Sequence, residues 1–424
     1  MNRREFVFCG AAGAVGLATG AVSRADDGTK LPPKFGYGRL VKTAAPPRNR
    51  RPYANVDWST AIRINTTSHG HCENQRMLDQ YVRHKFGLLA ISNYYPSAPR
   101  YPGKDFTRDY FRFHATHPVM RNGKLVPHPT DWNKELAGLQ DKFRKDLKDQ
   151  YPFVEKGEKM FTNWPKDMME IPNAEHHMFK EADGRWNWNL HMCAPGSFFA
   201  SGTFDKWNGF GSFNLGYAMG CGEFWGTAVD RMINGLMIPD GGGVTINHPL
   251  WTKIDRQLLL DILDWDPRVL GCEVLENGRN SEFYWDWVLS TGRQCFGMFV
   301  PDWGVDGDVF GVNVLLVPER TVEACLRAYR QGNWYGAAHG FGELVFKSVT
   351  FDGQTLRAVC DKPARFEVKT ARGVIKEATG QEVIWEVPKD GDGVGPKAEV
   401  FVRVKACAID GSGEQLFSQP FMLV

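Results

Sequence analysis

The sequence predicts an α/β protein in which a β/α barrel is followed by a small antiparallel β-sandwich. Its 424 residues are enough for two or three domains, and 42% hydrophobic with 24% charged residues is typical of globular proteins. From about Trp58 to Tyr335, short strand-like runs alternate with amphipathic helical runs, which favours a mainly parallel sheet. After about His339, short alternating strands and turn motifs replace this pattern. We therefore assign residues 58–338 to the barrel and residues 339–424 to the sandwich.

The first 57 residues have a different composition from the rest of the chain. Residues 1–25 begin with Arg3 and Arg4, continue through an apolar stretch rich in Gly and Ala, and end on a small-residue motif. This order looks like a twin-arginine export signal, which implies a periplasmic or extracellular mature protein. Because that pathway exports folded proteins, the signal also favours a cofactor inserted before export. An ordinary N-terminal helix or an uncleaved anchor is the alternative. Residues 26–57 are rich in Pro, Lys and Arg and predict an extended leader.

The alternating region contains eight strand candidates and six helix candidates, and such a series predicts a closed β/α barrel. In barrels of this kind the functional groups lie at the carboxyl ends of the strands. Two interruptions, residues 95–165 and 194–224, predict long loops over the barrel mouth. The strand candidates are Ala61–Asn65, Gly87–Ser92, Met169–Pro172, Trp188–Met192, Val244–Asn247, Gly271–Leu275, Gly297–Val300 and Asn313–Val317. The helix candidates are Asn74–Phe86, Trp132–Gln150, Gly226–Met237, Ile254–Leu263, Ser281–Thr291 and Thr321–Gly332.

Charge and cysteine content exclude several kinds of function. Lys and Arg number 51 against 49 Asp and Glu, a net charge of +2, which is too balanced to predict a nucleic-acid partner. No segment after the N-terminal one has the roughly 18 consecutive apolar residues that a membrane span needs. The eight cysteines that follow Cys9 form no C-x-x-C pair, and their scatter favours buried thiols, with one or two disulfide bridges in an oxidising compartment as the alternative. The composition leaves the oligomeric state open.

Histidines and acids that follow the candidate strands are the most informative feature of the chain. In the His-Gly-His segment the two imidazoles lie two positions apart, so on extended backbone both point the same way and can reach one ion. The other candidate ligands follow four further strands, so all of them would converge on the barrel mouth and form a metal site. The six candidates are His69, His71, Glu175, His191, His248 and Asp302.

The order of these motifs resembles the polymerase and histidinol phosphatase (PHP) superfamily. The sequence contains H-x-H, then Asn-Ala-Glu-His, Leu-His-Met, Asn-His-Pro, a Glu-x-Leu-Glu-Asn run and a strand that ends in Asp. The resemblance covers about Ile62 to Tyr335, and the C-terminal segment is similar to the β-domain of secreted members. It implies a distorted seven-stranded β/α barrel that holds up to three metals for phosphoester hydrolysis.

Carried onto this sequence, the resemblance implies two metals rather than three. Where the family has Asp-His after the second strand, this chain has Asn93-Tyr94, and Gly304 stands where a final histidine is expected. Mixed imidazole and carboxylate ligands suit two divalent ions of zinc, manganese or iron. The implied ligands are His69, His71, Glu175 and Asp302 for one metal, and Glu175, His191 and His248 for the other, with Glu175 bridging.

Such a site predicts a hydrolase for a small-molecule or sugar phosphoester. Two cations a few Å apart supply a bridging hydroxide that attacks phosphorus in line with the leaving oxygen. Glu175 and Asp302 are the expected catalytic carboxylates, and Tyr94 and Arg279 are candidate substrate contacts. Tyr94 as a space-filling aromatic and Arg279 as a surface ion pair are the plain structural alternatives.

Two other functions stay open at the level of sequence. The barrel could serve as a secreted binding module for a carbohydrate or a phosphorylated ligand, with catalysis lost together with the third metal. The same hydroxide could also attack the carbonyl of a carboxylic ester, lactone or amide. His176 and His177, next to a candidate ligand, are candidates for supporting or substitute ligands.

Overall fold

The computed structural model describes most of the chain from residue 39 onward. The described residues are 39–72, 74–93, 161–177, 179–187, 189–199, 223–303, 311–339, 342–388 and 399–423, with the backbone of two short strands at 119–121 and 124–126. No helix in these ranges is long and apolar enough to cross a lipid bilayer.

Six helices lie within the described ranges, and each predicted helix that falls there is observed with bounds that differ by at most three residues from the prediction. Asn74 and Thr321 begin two of them as N-caps, each accepting a hydrogen bond from the backbone N–H three residues on. The predicted helix Trp132–Gln150 lies outside the described residues. The helices are α1 Gln75–Arg83, α2 Trp225–Asn234, α3 Pro249–Thr252, α4 Arg256–Leu263, α5 Glu282–Ser290 and α6 Val322–Gln331.

Apart from the first strand, the described strands before residue 244 have two or three residues, and all other strands of five residues or more follow residue 244. They are β1 Ile62–Thr66, β2 Leu88–Leu89, β3 Val119–Arg121, β4 Lys124–Val126, β5 Met169–Glu170, β6 Glu175–His176, β7 Phe179–Lys180, β8 Trp186–Asn187, β9 Met192–Cys193, β10 Val244–Ile246, β11 Val269–Glu276, β12 Arg279–Asn280, β13 Phe296–Val300, β14 Gly311–Val317, β15 Trp334–Ala338, β16 Phe346–Phe351, β17 Thr355–Thr370, β18 Gly373–Glu386, β19 Phe401–Ala408, β20 Gln415–Phe417 and β21 Phe421–Met422.

One nine-stranded sheet joins the first strand to the C-terminal segment. Its order is β1-β14-β15-β20-β19-β17-β16, with β18 added to β17 and β21 to β19. Every pair in it is antiparallel, from β1 on β14 to the long β17–β18 hairpin. Side chains of β17 alternate between buried and exposed positions, as expected for a sheet with one face on a core. The C-terminal strands therefore continue the sheet that β1 begins; the closed barrel and the separate sandwich stay predictions.

A second sheet carries the parallel strands, in the order β12-β11-β10-β9-β6 with β13 on the other side of β11. Strands β10, β11 and β13 are mutually parallel neighbours, and all eight residues of β11 are buried. Such a continuous buried run is what a central parallel strand requires. Because parallel strands end at the same edge, the residues after β10, β11 and β13 are brought together there.

The cysteines of the described residues agree with the prediction of buried thiols. Six of the seven are buried and all seven are free. The sulfurs of Cys272 on β11 and Cys295, just before β13, lie 3.9 Å apart. The hydrogen bond between the two thiols and then burial raise the pKa of Cys272 well above its usual range.

Candidate metal centre

The His-Gly-His segment follows β1 and is held by hydrogen bonds on both sides. The His71 backbone N–H donates to the Asp302 carbonyl at 2.8 Å, and the Asp302 N–H donates to the His69 carbonyl at 3.3 Å. Gly70 between them donates to Ser92 Oγ at 2.9 Å. A Cβ at Gly70 would lie 2.4 Å from Tyr81 Oη, so a larger residue would displace this segment. The two backbone hydrogen bonds with Asp302 hold both imidazoles beside its side chain.

Glu175, on β6, lies at the centre of the site. Its Oε1 atom is 2.7 Å from His191 Nδ1 and 3.1 Å from His248 Nε2. Its Oε2 atom is 3.0 Å from His71 Nε2 and 3.2 Å from His69 Nε2. Each carboxylate oxygen thus faces two imidazole nitrogens, the arrangement expected of a carboxylate that bridges two cations.

His69 has its two ring nitrogens in different surroundings. Nδ1 lies 2.8 Å from Glu273 Oε1. Nε2 lies 3.2 Å from Glu175 Oε2 and 3.1 Å from Asp302 Oδ1, yet it makes no hydrogen bond of acceptable geometry with any described residue. A fully buried nitrogen without a hydrogen bond is costly. Its position between two carboxylates fits a metal ligand, because a cation there would satisfy all three atoms.

Glu273 supports two ligands at once. One carboxylate oxygen lies 2.8 Å from His69 Nδ1, and the other accepts the His248 backbone N–H at 2.7 Å. Metal-binding histidines usually donate their second ring N–H to such a carboxylate, which fixes the ring orientation and tautomer. The sequence analysis placed Glu273 in the Glu-x-Leu-Glu-Asn run but gave it no role at the site, because β11 is buried throughout and its pattern is that of a core strand.

Two of the ligand candidates have backbone conformations that are costly for residues with a Cβ. His248 has φ 29° and Asp302 has φ 53°, in the positive region that non-glycine residues rarely adopt. Each lies two residues after a parallel strand, His248 after β10 and Asp302 after β13, and both direct their side chains toward Glu175 or His69. Strain of this kind is concentrated at functional sites.

Opposite charges at close range perturb the ionisation of the central groups. Burial raises the pKa of Glu175, but the imidazoles, His69 foremost, lower it by more than burial raises it. The pKa therefore lies well below its usual range. For His69, burial lowers the pKa, but Glu175 and other acids outweigh it and hold the pKa well above the ordinary value. The site therefore has a dense set of mutually stabilising donors and acceptors at 0% to 7% exposure.

The structure brings together all six residues that the sequence singled out as metal ligands. One group contains four side chains and the other three, with Glu175 in both, and the ligand atoms of each group lie within 4.8 Å of one another. The geometry and the donor set fit divalent cations that accept nitrogen and oxygen ligands. The groups are His69, His71, Glu175 and Asp302, and Glu175, His191 and His248.

The other site candidates have different positions. Tyr94 and Gly304 lie outside the described residues. Arg279 forms an ion pair of 2.6 Å with Glu276 and is 43% exposed. His176 alternates away from Glu175 on β6 and stacks on Phe199, with ring centroids 5.3 Å apart.

The neighbours of Glu175 in sequence differ in their surroundings. Burial lowers the pKa of His176 to about 3, with His177 adding to the shift, so this imidazole is neutral at physiological pH. The His177 ring lies 5.6 Å from the ring of His191. Neither residue belongs to the two ligand groups found among the described residues.

Comparison with known proteins gives one structural neighbour. No protein-family model matches the chain, and no curated protein matches its sequence. A two-domain protein from Bacteroides vulgatus, described as containing a predicted PHP-like metal-dependent phosphoesterase, has 10% sequence identity and a TM-score of 0.33. The alignment covers 86% of this chain and 94% of that protein.

Proposed function

We propose that this protein is a metal-dependent hydrolase of phosphoester bonds. The observation that carries the proposal is the arrangement around Glu175, in which each carboxylate oxygen faces two imidazole nitrogens inside a buried cluster. A purely structural histidine–carboxylate pair needs only one imidazole for each carboxylate oxygen. Glu175 has four imidazoles around its two oxygens, which fits a site for two cations better. When bound, two divalent cations supply activated water at neutral pH and stabilise charge on a transferring phosphoryl group.

The ligand sets divide the work between the two sides of Glu175. In this proposal His69, His71, Glu175 and Asp302 would hold one cation, of zinc, manganese or iron, and Glu175, His191 and His248 would hold the other. Glu273 keeps His69 and the His248 backbone in place, so that both ligand sets share one support.

A cavity of about 490 Å³ has the size of a small-molecule site. Its lining includes Leu190 and Thr252, the sequence neighbours of His191 and Trp251, but none of the six candidate ligands. Lys253 and Arg185 line it together with Glu181 and Asp255, so its wall carries both signs of charge.

Two exposed tryptophans favour a second candidate, a binding module for a ring-bearing ligand such as a carbohydrate. Trp303 stacks on His71 with ring centroids 4.2 Å apart, and Trp251 contacts His248 edge-on at 4.9 Å. Their side chains are nevertheless 43% and 48% exposed. Exposed aromatics beside a metal cluster offer stacking faces to a ligand whether or not it is cleaved.

Metal analysis combined with turnover separates the two candidates. The purified full chain is loaded with zinc, manganese or iron(II), its metal content is measured, and hydrolysis of phosphomonoesters, phosphodiesters and carboxylic esters is followed. A hydrolase shows metal-dependent turnover that His69→Ala abolishes, whereas His84→Ala, outside the cluster at the end of α1, leaves it unchanged. Bound metal without turnover of any ester would favour the binding module, and no bound metal would refute both readings of the site.

A further inference from the structure

A second cavity, of about 220 Å³, lies beside strands β1, β14 and β15 of the nine-stranded sheet. None of the six candidate metal ligands lines it. It is smaller than typical pockets for drug-sized ligands, which measure about 300 to 1,000 Å³. The volume therefore suits a small ligand, and the chemistry of the wall indicates which kind.

The apolar part of the wall separates this cavity from the parallel sheet. Val312 and Val314 of β14 line the cavity and pack in the same apolar cluster as Leu344. Leu315, between them and the end of β14, packs in a different cluster with Met298 of β13. Because successive residues of a strand point to opposite faces, the nine-stranded sheet lies between the cavity and β13. A ligand in the cavity therefore has an apolar floor and lies on the far side of the sheet from β13.

The polar part of the wall is basic. Arg63 and Asn65 lie two positions apart on β1 and hence on one face of it, and both line the cavity together with Lys85. Within the described part of the chain, no acidic residue belongs to the lining, and neither cation forms an ion pair there. Two positive charges that face one cavity repel each other, and a bound anion offsets that repulsion.

Arg63 has one donor in use and one without a partner. Its Nη2 atom donates to the Phe346 carbonyl at 2.9 Å, which holds the guanidinium in place. Its Nε atom is buried and has no hydrogen-bond partner among the described residues. A buried N–H group without an acceptor is costly, and more so when it belongs to a charged group. The wall of the cavity therefore lacks an acceptor at Arg63.

Tyr335 places a hydroxyl group near the same guanidinium. It is buried on β15 and lines the cavity. Burial raises the pKa of the hydroxyl above its usual range, and the charge of Arg63 lowers it in part. The phenol is thus protonated at neutral pH and can donate a hydrogen bond. Asp361 also acts on Tyr335, but it does not line the cavity, and its Oδ1 accepts the Val345 backbone N–H at 2.7 Å.

We propose that this cavity is a second ligand site, which binds a small organic anion through an oxygen-rich head group. Arg63, Lys85 and Tyr335 hold the head, a phosphoryl or a carboxylate group, and the valines of β14 contact its apolar part. Oxyanions fit these donors because their lone pairs accept from guanidinium, ammonium and phenol together. The site goes beyond the proposed function, since it needs neither the metal ions nor hydrolysis.

Titration calorimetry on the purified full chain tests the site with three probes of similar size. Phenylphosphonate carries a phosphoryl head that is not hydrolysed, benzoate carries a carboxylate, and benzyl alcohol carries no charge. We expect one binding site for at least one of the two anions, weaker binding of benzyl alcohol, and a rise in Tm with the bound anion. The tighter of the two anions identifies the head group.

Variants of the two cations measure their share of the binding. Arg63→Met is expected to weaken binding of the anion by about 10- to 100-fold, because a charge-assisted hydrogen bond is lost. Lys85→Met is expected to weaken it by about 2- to 5-fold, since this ammonium is exposed to solvent. Circular dichroism shows whether each variant is folded. If Arg63→Met does not fold, the comparison of Lys85→Met with the wild type decides.

Two further variants locate the bound anion. Arg357→Met removes an arginine that pairs with Glu382 on the β17–β18 hairpin and does not line the cavity. His69→Ala changes the metal centre. Both are expected to bind the anion as the wild type does, and the second excludes a phosphonate held by metal ions.

Three results overturn the proposal. The first is that the folded wild type binds neither anion at millimolar concentration, or binds benzyl alcohol equally well. The second is that folded variants of both cations bind as tightly as the wild type. The third is loss of binding in His69→Ala, which assigns the anion to the metal centre. Absence of metal-dependent turnover refutes the proposed function but leaves these measurements unaffected, so the two proposals fail separately.

Discussion

Removal of the charge on Glu273 is the perturbation that most directly tests how the centre is built. In the wild type, His69 Nδ1–H and the His248 backbone N–H lie 2.8 and 2.7 Å from separate carboxylate oxygens of Glu273. In Glu273→Gln one side-chain oxygen remains, and it can accept from only one of these two donors. The other donor faces an amide NH₂ group. A buried donor left without an acceptor costs about 1 to 3 kcal/mol.

The effect on metal binding follows from the same geometry. Loss of a carboxylate partner behind a histidine ligand usually lowers metal affinity by about 10- to 100-fold, which corresponds to about 1.4 to 2.8 kcal/mol. We expect a loss in this range for Glu273→Gln, because both ligand groups share this support. Titration calorimetry with zinc or manganese, together with a metal-competition dye, measures it.

A matched control and a clear negative result complete the test. Glu399→Gln changes another fully buried glutamate, one that pairs with Arg372 in the C-terminal part of the chain, and is expected to leave metal affinity unchanged. If Glu273→Gln binds both cations as tightly as the wild type while remaining folded, the idea that Glu273 organises the ligands is wrong.

Four further outcomes are expected. Glu175→Ala removes both cations whereas Asp302→Ala removes one, since only Glu175 belongs to both ligand groups; metal content after dialysis shows whether the two variants differ. Arg403→Met lowers the free energy of unfolding by about 3 to 5 kcal/mol in urea denaturation, because Arg403 is fully buried against Glu282 and its loss leaves that carboxylate under-compensated; a loss below 1 kcal/mol would contradict this. Burial raises the pKa of Glu282, but Arg403 and neighbouring lysines lower it far more, so its stabilisation is present above about pH 4.5 and is lost as pH falls; a Glu282→Gln variant should lack that part of the acid dependence of Tm. Trp251→Ala weakens binding of a ring-bearing substrate by about 2- to 10-fold at unchanged metal content, and equal KM values would argue against a stacking role.

Part of the fold followed from local pattern. The strand candidates at 61–65, 244–247, 271–275, 297–300 and 313–317 overlap β1, β10, β11, β13 and β14, because alternation or a continuous apolar run is visible within a few residues. Strand partners are set by contacts far apart in sequence. The pairing of β15 with β20, which links the C-terminal strands to the first sheet, has no local signal.

The candidate site divides in the same way. The identities of the ligands could be predicted because imidazoles and carboxylates at strand ends are conspicuous in sequence and their order resembles a known family. Their support could not: Glu273 lies in the buried strand β11, and only its hydrogen bonds to His69 and His248 show that it faces the centre. Tyr94 lies outside the described residues, and Arg279 pairs with Glu276.

Local sequence was enough to predict the residue types available for metal binding and the approximate bounds of strands and helices, since these depend on neighbours within a turn or a strand. It was not enough to predict which oxygen of Glu175 faces which imidazole, or that Glu273 joins the two ligand groups. These contacts join residues 16 to 204 positions apart, so their geometry depends on how whole strands pack against each other.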